Sequence, residues 1–167
     1  MKIYKPKFWH EKISFLSAVI FPLSIIFQIL VFLRRKLIKK ISFDVPIICV
    51  GNIYIGGTGK TPLVLKIYDL LKKSKKKPAI IKKEYVNLYD EINLIKFYKK
   101  EIFTNKSRPR AIRTAIKTGF NSLVLDDGFQ DHSIHKDINI LCFSSNQLIG
   151  NGLTIPAGPL RESFNRI

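Results

Sequence analysis

A chain of 167 residues is long enough for one modest hydrophobic core and short for a protein that must hold two substrates. Lysine and arginine total 29 against 12 aspartates and glutamates, a formal charge of +17 that favours anionic partners such as nucleic acid, anionic lipid or a phosphorylated substrate. Cys49 and Cys142 lie in apolar runs without a Cys-x-x-Cys partner, which reads against a disulfide framework or thiolate metal site and fits reduced core residues in a cytoplasm.

From the N-terminus, residues 13–33 carry no charge and reach the length that a membrane-spanning helix needs. Tyr4 and Trp9 precede this run at an interfacial position. Arg34, Arg35, Lys36, Lys39 and Lys40 follow it as a cluster able to meet anionic head groups. Pro22 is expected to kink or interrupt the helix. Ser14, Ser17, Ser24 and Gln28 dilute the run and basic residues flank both ends, so spanning the bilayer and lying in one leaflet both stay open. No small-residue cleavage site follows, which argues against a signal peptide.

Beyond Ile41 short apolar runs alternate with longer mixed segments, the pattern of βα units feeding a largely parallel sheet flanked by helices. Strands are expected over 46–50, 78–82, 101–104, 122–126 and 138–143. Helices are expected over 61–73, 88–100 and 109–118, with another start near Pro159. The run from Lys72 to Lys77 reads as a solvated helix end and loop. The chain thus divides into an N-terminal anchor, 1–40, and an α/β lobe, 41–167.

The segment Val50-Gly51-Asn52-Ile53-Tyr54-Ile55-Gly56-Gly57-Thr58-Gly59-Lys60-Thr61-Pro62 joins the first of these strands to the first of these helices. A glycine-rich turn before a helix start lets backbone N–H groups converge on phosphate, and the helix dipole adds positive potential. Gly56, Gly57, Thr58, Gly59, Lys60 and Thr61 are therefore the candidate nucleotide-binding residues. Lys60 would reach the β- and γ-phosphates and Thr61 would ligate Mg²⁺. Tyr54 stands where the G-x-x-x-x-G-K-[ST] pattern has its first glycine, so the later glycines would supply the flexibility.

The apolar strand Ser122-Leu123-Val124-Leu125 ends in Asp126 and Asp127. Carboxylates at that end of a buried strand can hold Mg²⁺ directly or through water, although Asp127-Gly128 is also a good turn dipeptide. Asn151-Gly152-Leu153-Thr154-Ile155-Pro156-Ala157-Gly158-Pro159-Leu160-Arg161-Glu162 is a Pro/Gly-rich loop that could line a site. Arg161 could stabilise phosphoryl charge, and Glu162 could orient a metal-bound water or a sugar hydroxyl. A surface loop with a neighbouring charge pair is the alternative.

Together Gly51 to Pro62, Leu125-Asp126-Asp127-Gly128-Phe129-Gln130 and Pro156 to Glu162 resemble the tetraacyldisaccharide 4′-kinase family, the lipid A 4′-kinases of Gram-negative bacteria. Pro6-Lys7-Phe8-Trp9 before the apolar helix and Arg34 after it are similar too. The resemblance implies a P-loop NTPase-like kinase with a membrane-associated N-terminal helix, using ATP and Mg²⁺. Its acceptor would be the 4′-hydroxyl of an acylated glucosamine disaccharide phosphate, and it would sit among anionic lipids at the cytoplasmic face of the inner membrane. Lys60, Asp127, Arg161 and Glu162 would be catalytic. The family's catalytic Asp in a Gly-Asp-Glu segment has its nearest match in Tyr89-Asp90-Glu91, which makes Asp90 the candidate base.

Lys82-Lys83-Glu84-Tyr85 replaces the Ser-Arg-Gly-Tyr usual in the family, and Asp131 replaces a His that usually follows Asp-Asp-Gly-Phe-Gln, with His132 displaced by one. The family's second lobe would lie beyond Ile167, so a fragment, a truncated gene product or a degenerate relative is expected. Two other readings are a basic non-enzymatic module for anionic membrane or nucleic acid, and a different membrane-bound P-loop ATPase. The lysines are not interleaved with aromatics for base stacking and no nucleic-acid motif is present, so a nucleic-acid partner is not expected.

Overall fold

The computed structural model describes residues 6–10, 14–55, 59–84, 93, 95, 97–145 and 148–163. They form two compact units, each discontinuous in sequence. One holds the described parts of Lys40–Gly51 and Gly59–Cys142, the other those of Met1–Lys39, Asn52–Thr58 and Phe143–Ile167.

The first unit is a parallel α/β layer structure. Its strands are β1 (Ile47–Gly51), β2 (Pro78–Lys83), β3 (Ile102–Asn105), β4 (Ser122–Asp126) and β5 (Ile138–Leu141). They lie in the order β3-β2-β4-β1-β5, and every pairing is parallel. Among the helices of this unit are α2 (Lys60–Lys73) and α3 (Arg108–Lys117); α1 (Phe15–Leu37) belongs to the other.

Side chains alternate across a strand, so each strand feeds two cores. Ile47, Cys49, Ala79, Ile81, Leu123 and Leu125 pack with Ala111, Ile112 and Ala115 of α3. Val50, Ile80 and Val124 pack on the opposite face with Val64, Ile67 and Tyr68 of α2. The same alternation puts Lys82 and Asp126 on the α2 face, two positions beyond Ile80 and Val124. Fully buried parallel strands need apolar residues on both faces, which is why these segments read as continuous Ile/Val/Leu runs.

Strand and helix expectations are met to within a residue or two. The helix expected over 88–100 falls largely outside the described residues, of which Asn93, Ile95 and Phe97 are helical.

The second unit contains a short 3₁₀ turn, Lys7–Trp9, and α1 (Phe15–Leu37). Ser14 caps α1 by a reciprocal capping box with Ser17, and Arg34, Arg35 and Lys36 in the last turn complement the helix dipole. The helix runs on through Pro22 without interruption, contrary to one of the two outcomes expected there. One lost N–H bond is a local cost in a helix of 23 residues. α1 is long and apolar enough to cross a membrane by length and composition.

The polar residues that dilute α1 are turned inward. Buried Ser24 donates to the Thr154 carbonyl (2.8 Å) and accepts from the Ala157 N–H (3.0 Å), while Gln28 donates to the Thr154 hydroxyl (2.9 Å). Trp9 closes the same loop from the turn before α1, its indole N–H donating to the Pro156 carbonyl at 3.1 Å. Phe15, Val19, Leu23, Ile26 and Leu30 are left exposed. No helix begins at Pro159 among the described residues. Leu160 instead bridges Tyr54 and Thr154, which satisfies its backbone in extended form.

Candidate functional site

Gly59 opens α2 in the left-handed conformation (φ 72°), a geometry that glycine adopts without steric cost. Lys60 and Thr61 follow as the first two helical residues, and Pro62 takes the third, where no intrahelical N–H bond is lost. No acidic residue stands in this first turn, so the unpaired N–H groups and the dipole leave the helix start attractive to an anion. Gly56, Gly57 and Thr58 lie outside the described residues, as does Asp90.

β4 lies beside β1, with Asp126 in register with Val50. The Asp127 N–H extends this ladder by donating to the Val50 carbonyl (2.9 Å), after which Asp127 turns into the left-handed region (φ 56°). Its Oδ1 lies 3.6 Å from Lys60 Nζ. No hydrogen bond reaches that buried oxygen among the described residues. The strand order thus brings together the lysine of the glycine-rich turn and one of the two carboxylates.

Asp126 meets another partner. It stands in register with Lys82 on β2, so the two side chains share a face, and they form a buried ion pair. Sequence reasoning missed Lys82, although a lysine closing the apolar run Pro78-Ala79-Ile80-Ile81 was the available signal.

In the sequence Arg108 merely precedes the helix expected over 109–118. It is buried at the first turn of α3, donating from Nη2 to the Asp127 carbonyl (2.5 Å) and from Nη1 to Asp131 Oδ2 (3.2 Å). Ser133 donates to Asp131 Oδ1 from its hydroxyl (2.6 Å) and its backbone N–H (3.2 Å). Burial works against the Asp131 carboxylate, but the Ser133 hydrogen bonds and the Arg108 charge outweigh it and hold the group below its ordinary range.

The cysteines sit in the same unit as closed thiols. Burial pushes Cys49 up to about 11 against the opposing charges of Lys136 and Arg108. Burial also raises Cys142, with Lys60 acting in the other direction. Both are therefore protonated and chemically quiet.

Arg161 and Glu162 belong to the other unit. Glu162 is buried, with Oε2 3.5 Å from Arg35 Nη1 at the end of α1. The Arg161 N–H donates to the Ile53 carbonyl (2.7 Å) and the Ile55 N–H to the Pro159 carbonyl (3.1 Å). Tyr54, at the place of the pattern's first glycine, is buried against this crossing and bridges Leu160. Burial raises its phenol above the ordinary tyrosine value. The first half of the glycine-rich motif and the Pro-Ala-Gly-Pro-Leu-Arg-Glu motif are thus hydrogen-bonded to each other.

The sequence model of the family described as Tetraacyldisaccharide-1-P 4′-kinase (LpxK) matches residues 16–167. The tetraacyldisaccharide 4′-kinase of Pelagibacter ubique (strain HTCC1062) is 45% identical over 168 residues, covering 100% of this chain and 53% of that protein. That of Rickettsia bellii (strain OSU 85-389) is 32% identical over 181 residues, covering 99% of this chain and 56% of that protein. Among solved structures, the "apo" form of LpxK from Aquifex aeolicus in complex with ATP superposes with a TM-score of 0.70 at 25% identity, covering 90% of this chain and 55% of that one. The chain spans about half the length of the curated relatives it matches.

Proposed function

Because the chain belongs to the tetraacyldisaccharide-1-phosphate 4′-kinase family, we propose that it serves ATP-dependent phosphorylation of the 4′-hydroxyl of an acylated glucosamine disaccharide phosphate, a step of lipid A biosynthesis. The observation that carries this reading is the approach of Lys60 to Asp127 at the open start of α2. A cation, free helical N–H groups and a carboxylate at one strand end are what phosphoryl transfer needs, since its catalysis is mostly positioning and charge neutralisation. Neither a basic binding module nor a generic ATPase accounts for the family match across residues 16–167.

In this reading the backbone N–H groups from Gly56 to Thr61 bind the phosphates, and Lys60 reaches the β- and γ-phosphate oxygens. The 4′-hydroxyl oxygen attacks the γ-phosphorus in line, the bond to the β-phosphate oxygen breaks, and ADP leaves with that electron pair. Asp90 takes the hydroxyl proton. Arg161 stabilises charge on the phosphoryl group and Glu162 orients the acceptor.

The residues present suit Mg²⁺. Asp127 Oδ1 is a buried carboxylate oxygen without a hydrogen-bond donor among the described residues, and hard oxygen donors are what this ion prefers. Of the residues expected to ligate it, Thr61 and Asp127 are those that would hold it, and it would supply neutralisation of phosphate charge.

An acylated acceptor stays in the bilayer, so the kinase works at its surface. The exposed apolar side of α1 and the basic cluster Arg34, Arg35, Lys36, Lys39 and Lys40 suit anionic lipid at the cytoplasmic face of the inner membrane, with 1–40 as anchor and 41–167 as kinase lobe.

The test is transfer of labelled γ-phosphate from ATP to the acylated disaccharide phosphate in detergent or lipid, alongside ATP binding by the wild type and Lys60→Ala. ATP binding that Lys60→Ala weakens about tenfold or more, together with labelled product, is expected. A folded wild-type chain that binds no ATP would overturn the reading.

A further inference from the structure

We propose that Lys82 withholds Asp126 from metal coordination, leaving Asp127 as the carboxylate of β4 that takes a divalent cation. The inference deepens the function proposed above and rests on it.

The two aspartates, neighbours in sequence, each have an ammonium beside them but differ in burial and in how closely it sits. The Asp126 side chain is 1% exposed and paired with Lys82, itself 3% exposed. The parallel register of β2 and β4 sets these residues side by side, so the pair follows from the backbone and not from a chance rotamer. In so buried a place the attraction between the two is screened little. A dication approaching Asp126 would share its carboxylate with an ammonium already held against it, and like charges at that range repel.

Asp127 is 38% exposed in its side chain, and its left-handed backbone turns it out of the strand. Its Oδ1 faces Lys60 at 3.6 Å, a distance at which the ammonium neutralises without hydrogen bonding. One carboxylate is thereby built into the sheet, and the other is open to solvent on one side. Lys82 is a positioning residue in this scheme: it acts through Asp126 and touches neither nucleotide nor metal.

The experiment measures Mn²⁺ binding to the full chain, with and without ATP, by the electron paramagnetic resonance signal of free Mn²⁺. Asp126→Asn is expected to keep the Mn²⁺ dissociation constant within a few-fold of wild type, whereas Asp127→Asn weakens it about tenfold or more. Lys82→Met removes the ammonium beside Asp126, so Mn²⁺ binding should tighten several-fold. The double variant Lys82→Met/Asp126→Leu should lose that gain while restoring a neutral, filled core. A merely structural Lys82 would lower stability in Lys82→Met without tightening Mn²⁺ binding, and that result overturns the proposal. So does an Asp126→Asn variant that loses Mn²⁺ as Asp127→Asn does, and this arm decides the matter if Lys82→Met fails to fold. ATP binding in EDTA separates the two readings. A wild type that binds ATP there but needs Asp126 for Mn²⁺ sinks this inference alone, and one that binds no ATP sinks the function on which it rests.

Discussion

The Lys60 ammonium stands 3.6 Å from Asp127 Oδ1, too far for a hydrogen bond and close enough for charge neutralisation. At the open start of α2, the cation thus has a carboxylate of the protein itself beside it. Lys60→Ala should weaken ATP binding by about tenfold or more, roughly 1.4 kcal/mol. Asp127→Asn should instead strengthen binding of metal-free ATP, because it removes a carboxylate from beside the phosphates. Titrations in EDTA check both, and equal losses in the two variants would contradict this arrangement.

Arg108 holds the turn that carries Asp127 by bonding its carbonyl and the Asp131 carboxylate. Arg108→Ala leaves both acceptors without that donor in a buried place, at a cost of about 3 kcal/mol. Arg108→Lys keeps the charge but cannot bridge both groups with one fork, so its loss should be intermediate. Urea unfolding midpoints give the ranking.

A methyl group at Gly51 would lie 2.5 Å from Phe129 Cβ and 3.2 Å from the Phe129 nitrogen. Backbone cannot yield as a flexible side chain does, so Gly51→Ala should destabilise by about 1–3 kcal/mol. A thermal melt unchanged from wild type would show that β1 and the turn after β4 are less tightly apposed than they are here.

Asp131 titrates below its ordinary value in the folded chain. Its contribution to stability is thus fully present above the unfolded value, about 4, and is lost as pH falls through the lower folded value. Asp131→Asn should therefore be less stable than wild type at pH 7 and should lose less on acidification. Unfolding midpoints measured between pH 7 and pH 2 test this, and parallel curves would contradict it.

Ser24 serves a carbonyl and an N–H of the loop over residues 154–157 at once. Ser24→Ala strands both groups, costing about 1–3 kcal/mol for each buried partner left unmade. The Ala157 amide should exchange hydrogen much faster in the variant, with little change in the strand amides of the sheet.

Length, order and type of the elements were legible in the sequence because they rest on local periodicity and on the turn chemistry of residues such as Gly59. The parallel α/β class, the long apolar helix and the approach of the Lys60 turn to the β4 carboxylates all follow from motifs read in order. What the sequence could not say is which distant side chains become neighbours. Lys82 reads as one more lysine in a basic chain until strand register sets it against Asp126. Arg108 reads as a helix start until the fold delivers the Asp127 carbonyl to it. Ser24 and Gln28 read as flaws in an apolar helix until a loop more than a hundred residues later arrives to use them. Propensity and spacing are properties of a few consecutive residues, whereas these pairings depend on strand order and register, which exist only once the chain has folded.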